Sequence, residues 1–171
     1  MTTLLIDVAR LLIFPAVMAF AASSDFFTMT ISNRISLILV AGFVALAVGT
    51  GMPVGEMLDH AGAGGLVLAV AFTLYLFGQV GGGDAKLAAA TALWLGWTHL
   101  FDYLLYASIF GGVLTLALIE FRKFSMPRLL IGKEWAERLH KPGGGVPYGI
   151  ALAVAALVVY PSTIWMQALG N

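Results

Sequence analysis

Long apolar runs, interrupted at short intervals by clusters of glycine, proline and charge, set the pattern of this chain. A helix that crosses the hydrocarbon core of a bilayer needs about 20 mostly apolar residues, or somewhat fewer where neighbours or local thinning compensate. Six stretches fit, over residues 4–22, 35–51, 63–80, 85–100, 103–119 and 146–169. The expected fold class is therefore all-α, a polytopic membrane protein with six transmembrane helices. The first stretch lacks the basic start of a secretory signal and further spans follow it, so it reads as a retained helix. No internal repeat and no Pro-rich or Ser-rich linker divides the chain. Residues 1–171 thus read as a single integral-membrane domain with a long loop at about 120–145.

Composition sharpens this picture. Of the residues, 60% are hydrophobic and 11% charged, and the mean hydropathy is +0.95, well outside the usual balance of soluble domains. Lys plus Arg equal Asp plus Glu, so no basic surface is available to hold a phosphate backbone and nucleic acid is excluded as a partner. The absence of cysteine removes disulfides, thiolate nucleophiles and Cys-based zinc sites. His60, His99 and His140 show no HExxH or clustered-carboxylate spacing, so neither a metal nor another cofactor is implied, and surface or interfacial roles suffice for them.

Charge also orients the chain. Arg34 lies in the first loop, Lys86 in the third, and Arg122, Lys123, Arg128, Lys133, Arg138 and Lys141 in the fifth. Basic residues of short loops are biased to the cytoplasm, which puts loops one, three and five inside and both chain ends in the periplasm. Arg10 follows Asp7 by three positions, a spacing that lets the two pair on one helix face near the outer end. Trp94, Trp97, Tyr103, Tyr106, Tyr148 and Trp165 fall toward span ends, as aromatic-belt residues do. Residues 133–140 read as a solvated connector, with a helix along the headgroups as the alternative.

Ionisable groups near membrane depth are costly and therefore single out sites. Asp25, in Ser23-Ser24-Asp25-Phe26, lies just beyond the apolar part of the first span. Asp84 follows Gly81-Gly82-Gly83 and precedes the fourth span. Taken separately, the first fits an exposed helix-end or turn carboxylate and the second a helix cap. Taken together, they lie at the same membrane face. Two adjacent carboxylates titrate as a coupled pair, one ionised while the other keeps a proton. The ionised member can take a proton from water as that water attacks a peptide carbonyl, while its partner supports the oxyanion and the leaving amine.

Gly81, Gly83 and Asp84, with Lys86 and Leu87 after them, match the GxGDxKL form of the GxGD motif, and the chain resembles the type IV prepilin peptidases. In that family the partner aspartate lies a few residues before an Ile-Pro-Asn element; here Asp25 precedes Ile31-Ser32-Asn33. Val146-Pro147-Tyr148-Gly149-Ile150 resembles the family's PYG stretch. Ser32 stands where proline is usual, which leaves the conformation of that loop open.

The resemblance implies a GxGD membrane aspartic endopeptidase with Asp25 and Asp84 as catalytic residues. Gly81, Gly83, Lys86, Asn33, Pro147 and Tyr148 are the candidates for shaping the site or contacting substrate. It implies a prepilin or pilin-like substrate with a short basic leader cleaved at the cytoplasmic face of the bacterial inner membrane, in the context of pilus-assembly machinery. The compact chain is most similar to the tight-adherence, or Flp, branch; it lacks the paired cysteines of the methyltransferase insert, so peptidase activity without N-methylation is expected. A preflagellin-type peptidase differs chiefly in substrate. A transporter or a noncatalytic assembly subunit are the readings from other classes, and the first is disfavoured because no inverted repeat appears and the acids sit at a membrane edge.

Overall fold

The computed structural model describes residues 2–169. The elements are α1 (Thr2–Thr28), α2 (Asn33–Gly49), α3 (Val54–Leu76), α4 (Gly82–Lys123), α5 (Glu134–His140), α6 (Tyr148–Val159) and α7 (Ile164–Gln167), with short 3-10 turns at Arg128–Leu130 and Tyr160–Ser162. Three helices are long and apolar enough to cross a membrane: Leu4–Thr28, Val54–Leu76 and Gly82–Lys123. Asn33–Gly49 and Tyr148–Ser162 are shorter apolar segments. Large apolar side chains such as Leu5, Phe20, Val44, Phe72 and Leu116 point outward, as they do when lipid is the solvent.

The expected fourth and fifth spans lie in one continuous assignment, α4, of 42 residues. A straight helix of that length would run about 63 Å, twice the roughly 30 Å hydrocarbon core. It is not straight. Gly96 has φ 64° and ψ −176°, a region essentially reserved for glycine. The chain reverses there, because Asp84, Ala85 and Ala88 of the first arm line one cavity with Leu104, Ala107 and Thr115 of the second. Hydropathy instead places the break after residue 100, where charged Asp102 interrupts the apolar run; Asp102 is exposed and remains helical.

A helix end leaves its last carbonyls without intrahelical donors, and in an apolar interior these must find others. Here two side chains supply them. His60 Nδ1 donates to Leu93 O at 2.8 Å, which fixes the proton on Nδ1 because a carbonyl only accepts. Trp165 Nε1 donates to Trp94 O at 2.9 Å. Trp94 Nε1 donates in turn to Leu39 O of α2 at 2.8 Å. His60, Trp94, Trp165 and Tyr103 are buried, so the surface role expected for His60 and the belt role expected for the three aromatics are corrected. Their polar edges serve backbone carbonyls within the bundle, except Tyr103 Oη, which is buried with no hydrogen bond among the described residues. Trp97, Tyr106 and Tyr148 are exposed to the outside.

Around this knot Phe14, Phe43, Trp94, Tyr160 and Trp165 pack together, with ring centroids 4.5 Å apart for Phe14 and Tyr160 and 5.4 Å for Trp94 and Trp165. Tyr160 Oη also donates to Arg10 O at 2.7 Å, tying α6 to α1. Arg10 pairs with Asp7 at 3.2 Å as its spacing predicts. The sixth expected span is shorter than foreseen: α6 stops at Val159, and Pro161, which has no N–H to donate, enters a 3-10 turn. α3 is shifted toward the N-terminus of its expected range and ends at Leu76 rather than 80. The outermost residues of both chain ends, which bear on the expectation that they are periplasmic, lie outside the described residues.

The break at Gly96 predicts a sharp contrast between two glycines of one helix. A Cβ at Gly96 would lie 3.0 Å from His60 Cε1 on a positive-φ backbone, whereas one at Gly112 meets nothing within 4 Å. Gly96→Ala is expected to lower stability by about 1–3 kcal/mol, and Gly112→Ala to be neutral or stabilising by up to about 1 kcal/mol. Thermal unfolding of the purified proteins in detergent checks this; equal stabilities of the two variants would mean the reversal does not depend on Gly96.

Candidate active site

Asp25 stands in the last turn of α1, which continues to Thr28, rather than in a loop beyond the span. The helix tolerates polar residues there because their hydroxyls bond back to it: Ser23 Oγ donates to Ala19 O at 2.8 Å and Thr28 Oγ1 to Ser24 O at 2.7 Å. Met29, at φ 52°, ends the helix in the left-handed conformation common just past helix C-termini. Ser32 then caps α2, its Oγ accepting from Arg34 N at 3.3 Å. The serine in the place of the usual proline thus still starts a helix.

Asp84 lies in the first turn of α4, and the N-cap is Gly81, so Asp84 is not itself the cap. A Cβ at Gly81 would lie 2.7 Å from Asp84 Oδ2, and one at Gly83 would lie 3.0 Å from Ile31 Cβ and 3.1 Å from Ile31 O. The glycines therefore bring the start of α4 against the loop that follows Asp25. Lys86 Nζ donates to Asn33 Oδ1 at 2.8 Å, a second link between the same two segments.

The third component comes from the start of α6. Pro147 is its N-cap and is fully buried. The N–H of Gly149 donates to Asp25 Oδ2 at 2.7 Å, across 124 positions of sequence. A side chain at 149 would collide with what this bond brings close, since a Cβ there lies 2.6 Å from Ile31 Cδ1 and 2.8 Å from Asp25 Oδ2. The Tyr148 ring packs against Gly111 in the second arm of α4. Arg122 fixes the preceding loop by donating to Leu139 O at 2.8 Å and to Gly145 O at 2.7 Å.

α5 is a helix with Ala136 and Leu139 buried, docked on the end of α1 rather than a loose connector. Trp135 packs on Phe26 at 5.0 Å, and Arg138 Nη1 donates to Phe27 O at 2.9 Å. Sequence reasoning did not single out Ile31, Gly111, Arg122 or Gly149 as site-forming. Gly149 carried a signal by its place in the Pro-Tyr-Gly run, and Ile31 by its place in the Ile-Ser-Asn element.

Asp25 is 4% exposed. It and Asp84 line a single cavity of about 1030 Å³, together with Gly81, Tyr148 and apolar side chains of α3 and α4. Lys86 and Asn33 stand apart: they line a separate groove of about 530 Å³ between α2, α3 and α4. The geometry thus gathers Asp25, Gly81, Asp84 and Tyr148 around one space, sets Lys86 and Asn33 on another, and leaves Gly83 and Pro147 out of both linings. What the gathered set offers chemically is a pair of carboxylates, one held by a backbone N–H, at the mouth of a largely apolar cleft.

A model of the type IV leader peptidase family matches residues 12–116, more than half of the chain. The chain belongs to this family. Membership makes it a protease of the prepilin-leader type, as the motif resemblance implies, and agrees with its membrane-length apolar helices. No curated protein and no solved structure gives a match. The matched region contains Asp25, Asp84 and most of both arms of α4, while Gly149 and α6 lie beyond it. In this leader peptidase family member, Gly149→Ala is expected to leave the protein in the membrane but to lower leader cleavage at least about tenfold, equivalent to about 1.4 kcal/mol. Cleavage rates at matched membrane levels check this, and a wild-type rate would mean the Gly149 contact is dispensable.

Proposed function

We infer that the chain is a membrane aspartic endopeptidase that removes the leader of a prepilin-like protein at the cytoplasmic face of the bacterial inner membrane. The observation that carries this reading is that two carboxylates from helices far apart in sequence, Asp25 and Asp84, line one cavity, with Asp25 hydrogen-bonded to the N–H of Gly149. The whole chain acts as one peptidase domain, with the two arms of α4 serving as separate spans in a six-span arrangement. Loops one, three and five are cytoplasmic because they hold all the basic residues except Arg10. Both chain ends are then periplasmic.

In the proposed reaction one carboxylate is ionised and the other protonated. The ionised group takes a proton from a water whose oxygen bonds to the scissile carbonyl carbon. The protonated group hydrogen-bonds the developing oxyanion. The C–N bond then breaks as the nitrogen receives a proton, and the roles of the two groups exchange as protons move. No other group from the chain is needed for this sequence. Gly81 keeps the space beside Asp84 Oδ2 free of a side chain, so a substrate backbone can approach closely. Lys86 and Asn33, bonded to each other outside the cavity, act by holding α2 to α4 and not on the substrate. Without cysteines, the chain has no counterpart of the methyltransferase insert, and cleavage without N-methylation follows, as in the tight-adherence branch of the family. A preflagellin-type substrate would use the same groups.

The test replaces each carboxylate by an amide of nearly equal shape. Asp25→Asn and Asp84→Asn should each lower cleavage of a coexpressed prepilin by at least about a hundredfold, with membrane level and unfolding temperature near those of wild type. If either folded variant cleaves at the wild-type rate, the two-carboxylate mechanism is wrong.

A further inference from the structure

The cavity that holds Asp25 and Asp84 extends far beyond the space two carboxylates and a peptide bond require. On α3 its lining runs from Leu66 to Leu74, and on the second arm of α4 from Leu100 to Thr115. At 1.5 Å per residue these walls are about 12 and 22 Å long, a substantial part of the roughly 30 Å hydrocarbon core. The carboxylates are at one end, Gln79, Ser108, Thr115 and Tyr148 are the other polar side chains of the lining, and Val70, Leu74, Leu104 and Ala107 stand on facing walls. The hydroxyls along it are already satisfied within the protein: Ser108 Oγ donates to Leu104 O at 2.8 Å and Thr115 Oγ1 to Gly111 O at 2.7 Å. The slot therefore offers no polar partner at depth.

We propose that this slot between α3 and the second arm of α4 is the binding site for the apolar helix that follows the scissile bond of the substrate. The inference rests on the leader-peptidase reading given above and adds where the substrate helix lies. Continuity is the first reason: the same cavity holds the carboxylates at its mouth, so a helix in the slot delivers its own N-terminal end to them. Length is the second, since walls of about 12 and 22 Å accommodate some two to four turns. Chemistry is the third. A helix satisfies its own backbone and asks only for apolar and small side chains around it. The neighbouring groove of about 530 Å³ ends at Lys86 and Asn33 and contains neither carboxylate. A helix bound there would present its end to an ammonium group with no hydrolytic partner.

The chain has no cysteine, which makes single-cysteine probes unambiguous. Val70→Cys and Ser108→Cys mark the two walls of the slot, Val40→Cys marks the neighbouring groove, and Ile109→Cys marks the second arm of α4 outside both cavities. Each is combined with Asp84→Asn and coexpressed with a prepilin that the wild type cleaves, carrying one cysteine in its apolar helix. Oxidation should give disulfide adducts at Val70→Cys and Ser108→Cys and none at Val40→Cys or Ile109→Cys. The prepilin should also protect the two slot cysteines from maleimide.

Adducts confined to Val40→Cys, or equal at Ser108→Cys and Ile109→Cys, overturn the proposal. So does protection of the slot cysteines by phospholipid alone, with no effect of prepilin, which would make the occupant an acyl chain. Retained cleavage by Asp84→Asn would instead overturn the two-carboxylate mechanism, and the adduct pattern would still report on the slot independently.

Discussion

The reversal of α4 at Gly96 governs the geometry of the molecule, because it returns the second arm of that helix to the level of Asp84 at its start. A reversal inside an apolar bundle leaves backbone carbonyls that water cannot reach, and each one left unpaired costs several kcal/mol. His60 and Trp165 take two of these carbonyls, and the ring of His60 occupies the space a side chain at residue 96 would need. One histidine from α3 and one tryptophan near the C-terminus thereby fix the angle of the reversal. The second arm then stands opposite α3 and forms the other wall of the carboxylate cavity. A polar residue far from the site is in this sense a condition for the site.

At the opposite end of the bundle, packing is governed by the absence of side chains. Ile31 lies against both Gly83 and Gly149, so the loop after α1, the start of α4 and the start of α6 meet at one apolar residue. The same convergence brings the Gly149 N–H to the Asp25 carboxylate. The glycines flanking Asp84 therefore act chiefly by admitting neighbours, with Gly81 clearing the space beside the carboxylate itself.

Much of this was legible in the sequence, and what was not has a physical cause. Apolar runs marked the helices, and the spacing of Asp25, Gly81, Gly83 and Asp84 marked the carboxylates that line one cavity. The reversal was misplaced because a hydropathy minimum at Asp102 reports solvation, whereas the turn at Gly96 reports backbone conformation, to which hydropathy is blind. Trp94, Tyr103 and Trp165 were expected in a membrane belt because position along a span was the only guide; which way a side chain faces depends on crossing geometry that the sequence does not contain. The Gly149 bond to Asp25 spans 124 positions and leaves no local trace beyond the Pro-Tyr-Gly run. Lys86 and Asn33 were close to the motif in sequence yet face a different groove, because successive positions on a helix point to different sides.

On the proposed reading, the location of the carboxylates at helix ends, instead of deep between the helices, fits what peptide hydrolysis demands of a bilayer. A helical substrate hides its carbonyls in internal hydrogen bonds, and attack requires that a turn be opened. Opened within hydrocarbon, that turn would expose several unpaired peptide groups, each costing several kcal/mol. Opened at the mouth of the slot, the same groups can turn to water and to polar groups that the chain places there, while the helix behind them stays folded in its apolar surroundings. Water, the second reactant, is also available at that level. The proposed division of the cavity into a polar mouth and an apolar slot thus separates two tasks that conflict: solvating an unwound backbone and holding a wound one.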